Sequence, residues 1–234
     1  MVAVPDPISS AASPAVRSSL PLRSRYIQQV EALEQDVLRI GAMVEHSSRL
    51  ARTALIDGDL DAPARIDAQD RTVDQIYRQI EQDGISLVAL QSPVGRDLRL
   101  ISSLMHISRD LERIGDYAED LGELAVMLFP HRPHPLLPRL ATMLDRARSL
   151  LALGLEALTQ YDPDAGLELK RLDDAVDRDY TELYTLLVRD PTYQTGIEST
   201  ALLVLAIRCI ERMADHATNI GKRVFFIVNG QMPT

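Results

Sequence analysis

The chain has 234 residues, of which 46% are hydrophobic and 25% are charged, and its formal net charge at pH 7 is −9. This charge argues against a general nucleic-acid-binding protein, which needs a basic face. The sequence has no Trp, 3 Phe and 7 Tyr, so its core must consist mainly of aliphatic side chains, which suits helices packed on helices. Because Cys209 is the single cysteine, no intrachain disulfide can form, and the fold does not depend on an oxidising compartment.

The beginning of the chain is rich in Ser, Ala and Pro, and we predict a disordered N-terminal tail over residues 1–21. This tail has neither a basic start nor an apolar run of signal-peptide length. A later apolar stretch, residues 201–207, is too short to span a membrane and leads directly into Arg208 and Glu211. We therefore expect a soluble cytoplasmic protein.

From Arg23 onward, apolar residues recur at spacings of three and four, which is the period of an amphipathic helix. No segment shows sustained strand-like alternation. Turns rich in Gly, Asp and Pro separate the helical segments. The six expected helices span about 23–56, 63–90, 92–129, 136–158, 167–188 and 197–228.

A segment rich in Pro and His, residues 130–135, interrupts this pattern in the middle of the chain. Proline ends helices and pushes the residue before it away from helical backbone angles. Three predicted helices precede the break and three follow it. The sequence therefore predicts an all-α fold of two tandem three-helix bundles, with domains at 22–130 and 131–234.

The two halves share motifs. Glu-Arg-x-x-Asp begins at Glu112 and again 99 residues later at Glu211, and Asp-x-x-Val-Asp-x-x-Tyr begins at Asp70 and again 103 residues later at Asp173. Shared motifs at nearly constant spacing indicate an internal duplication, with a short insertion or deletion between the motifs.

Each motif places two acids four residues apart, on one face of a helix, where like charges repel by roughly 0.2–0.5 kcal/mol. On the third and sixth helices the acids continue an apolar stripe, although surface charges usually lie opposite to one. An adjoining arc with Leu104 and Leu111 is also apolar, so the acids can lie at the edge of the buried face. If helices two and three of each bundle face each other here, four carboxylates meet in each half. The groups are Asp70, Asp74, Glu112 and Asp116, and Asp173, Asp177, Glu211 and Asp215.

Four uncompensated carboxylates would be unfavourable, and two remedies exist. Arg109, Arg113, Arg208 and Arg212 lie nearby in the sequence and can form ion pairs. Hard cations, which take oxygen ligands, are the other remedy. Spacing alone does not separate a salt-bridged surface from a metal site, but the repetition at matching levels of two bundles favours metal.

Other classes of function find less support. A ferritin-like di-iron enzyme or metal store would need Glu-x-x-His pairs, and no histidine here follows a Glu by three residues. His106 and His216 are expected to point away from the acidic stripe, and Cys209 is expected in the core. Nucleophile-elbow and phosphate-loop motifs are missing from the sequence, so we predict no catalysis. A metal-independent helical adaptor, with acids neutralised by arginines, stays open.

Three segments, residues 93–100, 110–121 and 206–224, resemble the PhoU family of phosphate-transport regulators. The segments LERIGDYAED and CIERMADHATN within them are similar to that family's E(D)xxxD signatures. The resemblance covers about residues 23–230 and implies two tandem three-helix bundles that bind mono- or multinuclear metal clusters. It implies that the eight acids named above are the ligands. Iron or zinc is the expected metal, with magnesium or manganese as alternatives.

The resemblance also implies a regulatory role. PhoU-like proteins repress the phosphate-starvation response, and we expect the ATPase of a phosphate ABC transporter and a sensor histidine kinase as partners. Membrane association would then occur only through these partners, and we expect a homodimer that binds no nucleic acid. In the second half, His216 stands where Tyr117 stands in the first, and Asn219 stands where Asp120 stands. The two sites therefore need not bind the same metal or the same number of ions.

Overall fold

The computed structural model describes residues 22–233, so the predicted disordered tail lies outside the described residues. Six α-helices and short helical turns make up most of this part of the chain, which contains no strand. The predicted all-α class is confirmed, and the ends of the helices differ from the expected ones by a few residues. The helices are α1 (Leu22–Arg52), α2 (Ala62–Gln91), α3 (Arg96–Leu128), α4 (Leu137–Gln160), α5 (Pro163–Arg189) and α6 (Ile197–Asn229).

The turn between α2 and α3 differs from the expectation that the third helix begins at Ser92. Ser92 has φ 46° and ψ 53°, a left-handed conformation that ends α2. Gly95 has φ 58°, which favours glycine because it has no Cβ. The third helix therefore begins at Arg96, three residues after Pro93.

The six helices form two bundles that pack against each other. α1, α2 and α3 contact one another, as do α4, α5 and α6, and the most extensive contact between the bundles joins α3 to α6. α1 also packs on α4. The buried aliphatic side chains of both bundles form one continuous hydrophobic core. The acid-bearing helices α3 and α6 therefore lie at the centre of the molecule.

Ion pairs between α1 and α4 add polar contacts at the junction of the two bundles. Arg52 Nε lies 2.8 Å from Asp145 Oδ1, and Arg148 Nη2 lies 2.9 Å from Glu45 Oε1. All four side chains are partly shielded from water. These pairs help to fix the orientation of the bundles.

α1 is followed by a π-helical turn, Thr53–Asp57. A side chain from the segment between the bundles binds carbonyl oxygens of this turn. Arg132 Nη1 donates to the carbonyl oxygen of Leu55 at 3.0 Å, and Nη2 donates to that of Ile56. These carbonyls are at a helix end, where intrahelical donors are lacking.

Replacing Arg132 with Met should therefore lower the free energy of unfolding by about 2 kcal/mol, since two carbonyls lose a charged donor. Urea unfolding followed by circular dichroism measures this. Arg139→Met removes an arginine whose ion pair with Glu182 is largely exposed, and it should cost under about 0.5 kcal/mol. Equal costs for the two variants would contradict a specific role for Arg132.

Candidate functional site

The first acidic cluster lies between α2 and α3. α2 supplies Asp70 and Asp74, α3 supplies Glu112 and Asp116, and all four are half-buried. Burial, then the negative charges of Asp116, Asp74 and Asp67, raise the pKa of Asp70 to about 6. Burial also raises the pKa of Glu112, and the charge of Asp116 adds to this effect. The four predicted residues of the first half therefore lie close enough together to repel.

In this first cluster, arginines donate hydrogen bonds to Asp74 and Asp116, but not to Glu112. Arg78 Nη2 lies 2.5 Å from Asp74 Oδ2, and Arg113 Nη1 lies 3.0 Å from Asp116 Oδ2. The buried oxygens Asp70 Oδ1 and Glu112 Oε2 have no hydrogen-bond partner. Arg113 Nε is 3.4 Å from Glu112 Oε2 without forming a hydrogen bond. Unpartnered buried carboxylate oxygens are costly, and a cation would relieve that cost.

The second acidic cluster lies between α5 and α6 and has the same arrangement. Asp173 is buried, and its Oδ1 also lacks a hydrogen-bond partner. Burial is the largest cause that raises the pKa of Asp173 and that of Glu211. The charge of Asp177 acts on both residues, as does that of Asp215. The four predicted residues of the second half therefore lie together as well.

In the second cluster, basic side chains also donate hydrogen bonds to Asp173 and Glu211, the counterparts of Asp70 and Glu112. Lys170 Nζ donates to Asp173 Oδ2 at 3.0 Å. Arg208 Nη1 lies 2.8 Å from each carboxylate oxygen of Glu211. Of the four acids, Asp173 is deeply buried and Asp177 is exposed.

The acids lie at the edge of the buried face of their helices. Leu104 and Leu111, on the adjoining arc of α3, are completely buried. On the apolar stripe that leads to the acids, Leu98, about four turns before Glu112, is 40% exposed, whereas Ile101 is completely buried. The stripe and the adjoining arc therefore both contribute to the core, and the acids, which are half-buried on α3, lie at its edge. This position explains how a charged cluster can be partly dehydrated and still open to ions.

The chemistry of the clusters suits a hard cation, because all eight predicted ligands are carboxylates and three of their buried oxygens lack a partner. However, no three His, Cys, Asp or Glu side chains within residues 22–233 are already arranged to hold one ion. Binding would require the carboxylates to rotate away from their Arg and Lys partners. The ligand roles of the eight acids therefore stay predictions.

A polar contact between α3 and α6 was missed by the sequence reasoning. Asp110 is buried, its Oδ1 lies 2.8 Å from His216 Nδ1, and it accepts a hydrogen bond from Asn219 at 3.3 Å. The ring of His216 lies 5.9 Å from that of Tyr117. Tyr117 and His216 occupy equivalent positions of the repeat, and this equivalence is the signal that could have placed them together. His216 points away from the acids of its own helix because it packs against the other bundle.

The two histidines of the segment between the bundles, residues 130–135, contact other protein groups, and these contacts account for their positions. His134 is buried, its Nε2 lies 3.1 Å from the carbonyl oxygen of Tyr193, and its Nδ1 accepts from the Leu136 amide. Burial lowers the pKa of His134, in keeping with a neutral ring that donates once and accepts once. His131 Nε2 lies 3.5 Å from Glu198 Oε2.

None of the helices in residues 22–233 combines the length and the apolar character that crossing a membrane requires. This finding agrees with the sequence reading of the apolar stretch at residues 201–207, which forms part of α6.

Comparison with protein families gives two matches to one model, the PhoU domain, at residues 37–125 and 140–224. Each match falls within one three-helix bundle, as the repeated motifs predicted. The family model therefore covers both acidic clusters.

Curated relatives match along most of their length. A phosphate-specific transport system accessory protein PhoU homolog from Synechocystis is 46% identical over 221 residues, covering 94% of this chain and 99% of that protein. The accessory protein PhoU of Escherichia coli is 28% identical over 214 residues, covering 90% of this chain and 88% of that protein.

Solved structures agree with the fold. The crystal structure of PhoU from Pseudomonas aeruginosa has a TM-score of 0.82 at 29% identity and covers 88% of this chain and 100% of that chain. The PhoU regulatory protein of the phosphate transport system from Streptococcus pneumoniae has a TM-score of 0.82 at 25% identity, covering 89% and 99%.

Proposed function

Because the chain belongs to the PhoU family, we propose that it is a cytoplasmic, metal-binding accessory protein of phosphate transport. It would have no catalytic activity of its own and would act as a negative regulator of the phosphate-starvation response. Its expected partners are the ATPase of the phosphate ABC transporter and a sensor histidine kinase. A homodimer is the expected assembly.

The observation that carries the metal-binding part is the set of buried, unpartnered carboxylate oxygens in the two acidic clusters. Asp70 is the clearest case, since every charge that contributes to its raised pKa is negative. A di- or trivalent cation would neutralise several carboxylates at once. Sites made of carboxylates suit magnesium or manganese ions, and the resemblance to the PhoU family implies iron or zinc.

Elemental analysis of protein purified without chelator tests metal binding directly. The wild type is compared with the variant Glu112→Ala/Asp116→Ala/Glu211→Ala/Asp215→Ala, which removes two acids from each cluster. We expect stoichiometric metal in the wild type and its loss in a variant that stays helical. Metal-free wild type, even after incubation with iron, zinc, magnesium or manganese, would refute metal binding.

The regulatory role needs a separate test in cells. Deleting the gene from the source organism should switch on phosphate-starvation genes in phosphate-rich medium, and the wild-type gene should restore repression. Unchanged expression of these genes after deletion would argue against negative regulation, whatever the metal content of the protein.

One observation favours the metal-independent adaptor as the second candidate. Arg113 pairs with Asp116 at 3.0 Å and Arg212 with Asp215 at 3.2 Å, so basic side chains already neutralise part of each cluster. In that case the quadruple alanine variant would restore repression as well as the wild type does. Failure of this variant, with normal folding, would instead show that the acids are needed for regulation.

A further inference from the structure

The two acidic clusters differ in what neutralises the first aspartate of the shared Asp-x-x-Val-Asp motif. Asp70 and Asp173 occupy equivalent positions of the repeat, and each has a buried Oδ1 without a hydrogen-bond partner. The charges that act on Asp70 are all negative. In contrast, Asp173 Oδ2 accepts a hydrogen bond from the ammonium group of Lys170 at 3.0 Å. A cation is thus already present in the second cluster and lacking at the matching place in the first.

The repeat shows how this difference arises. The shift of 103 residues that superimposes Asp70 on Asp173 places Asp67 on Lys170. Asp67 pairs with Arg71 on the exposed side of α2. One turn later the exchange is reversed, because Arg71 corresponds to Asp174. The two segments therefore differ in the position of the basic residue and not in total charge. Only in the second cluster does this basic side chain contact the buried aspartate.

The glutamates show the same contrast. Both oxygens of Glu211 lie 2.8 Å from Arg208 Nη1. At the equivalent position, Glu112 Oε2 has no hydrogen-bond partner, and Arg113 Nε approaches it only to 3.4 Å. Asp173 and Glu211 therefore each accept a hydrogen bond from a basic group, whereas Glu112 has only the 3.4 Å ion pair with Arg113.

We propose that Lys170 acts as an internal cation of the second cluster, since it holds one carboxylate oxygen of Asp173, Oδ2, and so competes with a metal ion for that carboxylate. The second cluster then binds a divalent cation more weakly than the first, and only when Lys170 swings out. The side chain of Lys170 is 59% exposed and has a flexible stem, so water can accept the displaced ammonium group. This inference rests on the proposed metal-binding function and adds an order of loading, first cluster before second.

Titration with Mn²⁺, followed by the electron paramagnetic resonance signal of the free ion, tests this order. Asp173→Asn/Glu211→Gln leaves only the first cluster intact, and Asp70→Asn/Glu112→Gln leaves only the second. We expect the first cluster to bind at least about tenfold more tightly. In the second-cluster background, Lys170→Met should then tighten binding by about tenfold, and Lys170→Gln should act in the same direction.

The matched control is Arg171→Met. Arg171 lies next to Lys170 on α5, and its Nη1 pairs with Glu168 at 2.9 Å on the exposed surface. This change removes the same charge without touching Asp173, so it should leave Mn²⁺ affinity nearly unchanged. Far-UV circular dichroism of each variant confirms that the helices are retained.

The outcomes separate this inference from the proposed function. Equal affinity in the two backgrounds, or equal effects of Lys170→Met and Arg171→Met, would overturn the role of Lys170 while leaving metal binding intact. Absence of Mn²⁺ binding in both backgrounds and in the wild type, together with no Zn²⁺ retained by the wild type in elemental analysis, would overturn both proposals.

Discussion

Alanine in place of Gly166 should lower the free energy of unfolding by about 2–3 kcal/mol, although alanine has a higher helix propensity than glycine. Gly166, on α5, faces Gly221 on α6 so closely that a Cβ atom on Gly166 would lie 2.5 Å from the carbonyl oxygen of Gly221. The obstacle is backbone and not a mobile side chain. The two helices that carry the second acidic cluster would therefore have to separate. Urea unfolding followed by circular dichroism measures the loss.

The same substitution at Gly154 provides the control, since it should have the opposite sign. A Cβ atom on Gly154, in α4, would lie 3.4 Å from the carbonyl oxygen of Ala217 and from Ile220 Cβ, which is ordinary van der Waals contact. Gly154→Ala should therefore stabilise the protein by about 0.5 kcal/mol through helix propensity. Similar costs at the two positions would show that the contact between α5 and α6 is not limiting.

The sequence predicts the helices and the acid clusters well because both depend on local periodicity. Apolar residues at spacings of three and four indicate each helix. The same periodicity puts Glu112 and Asp116 on one face of α3, and Glu211 and Asp215 on one face of α6. The duplication then identifies the helices that pair with α3 and α6. The acids of α2 recur in α5 after 103 residues, and those of α3 recur in α6 after 99 residues. Prolines at residues 130–135 mark the junction between the bundles.

Details that depend on contacts between helices escape such reasoning. The left-handed backbone conformation of Ser92, which ends α2, is not indicated by the residue types around it. The packing of His216 on Asp110 depends on how α3 crosses α6, which periodicity on one helix cannot show. Likewise, Lys170 looks like one more surface cation in the sequence, and only its 3.0 Å contact with Asp173 distinguishes it from Arg171.

Asp70→Asn should raise the stability of the metal-free protein by about 1 kcal/mol at neutral pH, after allowance for solvent screening of a half-exposed group. The pKa of Asp70 is about 6 in the folded protein, against an ordinary value of 3.8. The ionised carboxylate therefore destabilises the fold fully above about pH 6. This penalty shrinks as the pH falls below 6 and is gone below 3.8, where Asp70 is protonated in both states. The advantage of the variant should follow the same course in urea unfolding.

With metal present, the same substitution should act in the opposite direction. A cation at a concentration roughly 100-fold above its Kd stabilises the folded state by about 2.7 kcal/mol, and Asp70→Asn should remove most of that gain if Asp70 is a ligand. Asp97→Asn, which changes an exposed acid at the start of α3, should leave the gain intact. A stabilising effect of Asp70→Asn both with and without iron, zinc or manganese would mean that the carboxylate only repels its neighbours. If the effect of Asp70→Asn on the free energy of unfolding reversed its sign on adding metal, the four carboxylates Asp70, Asp74, Glu112 and Asp116 would form a cation site. Their mutual repulsion would then destabilise only the metal-free protein.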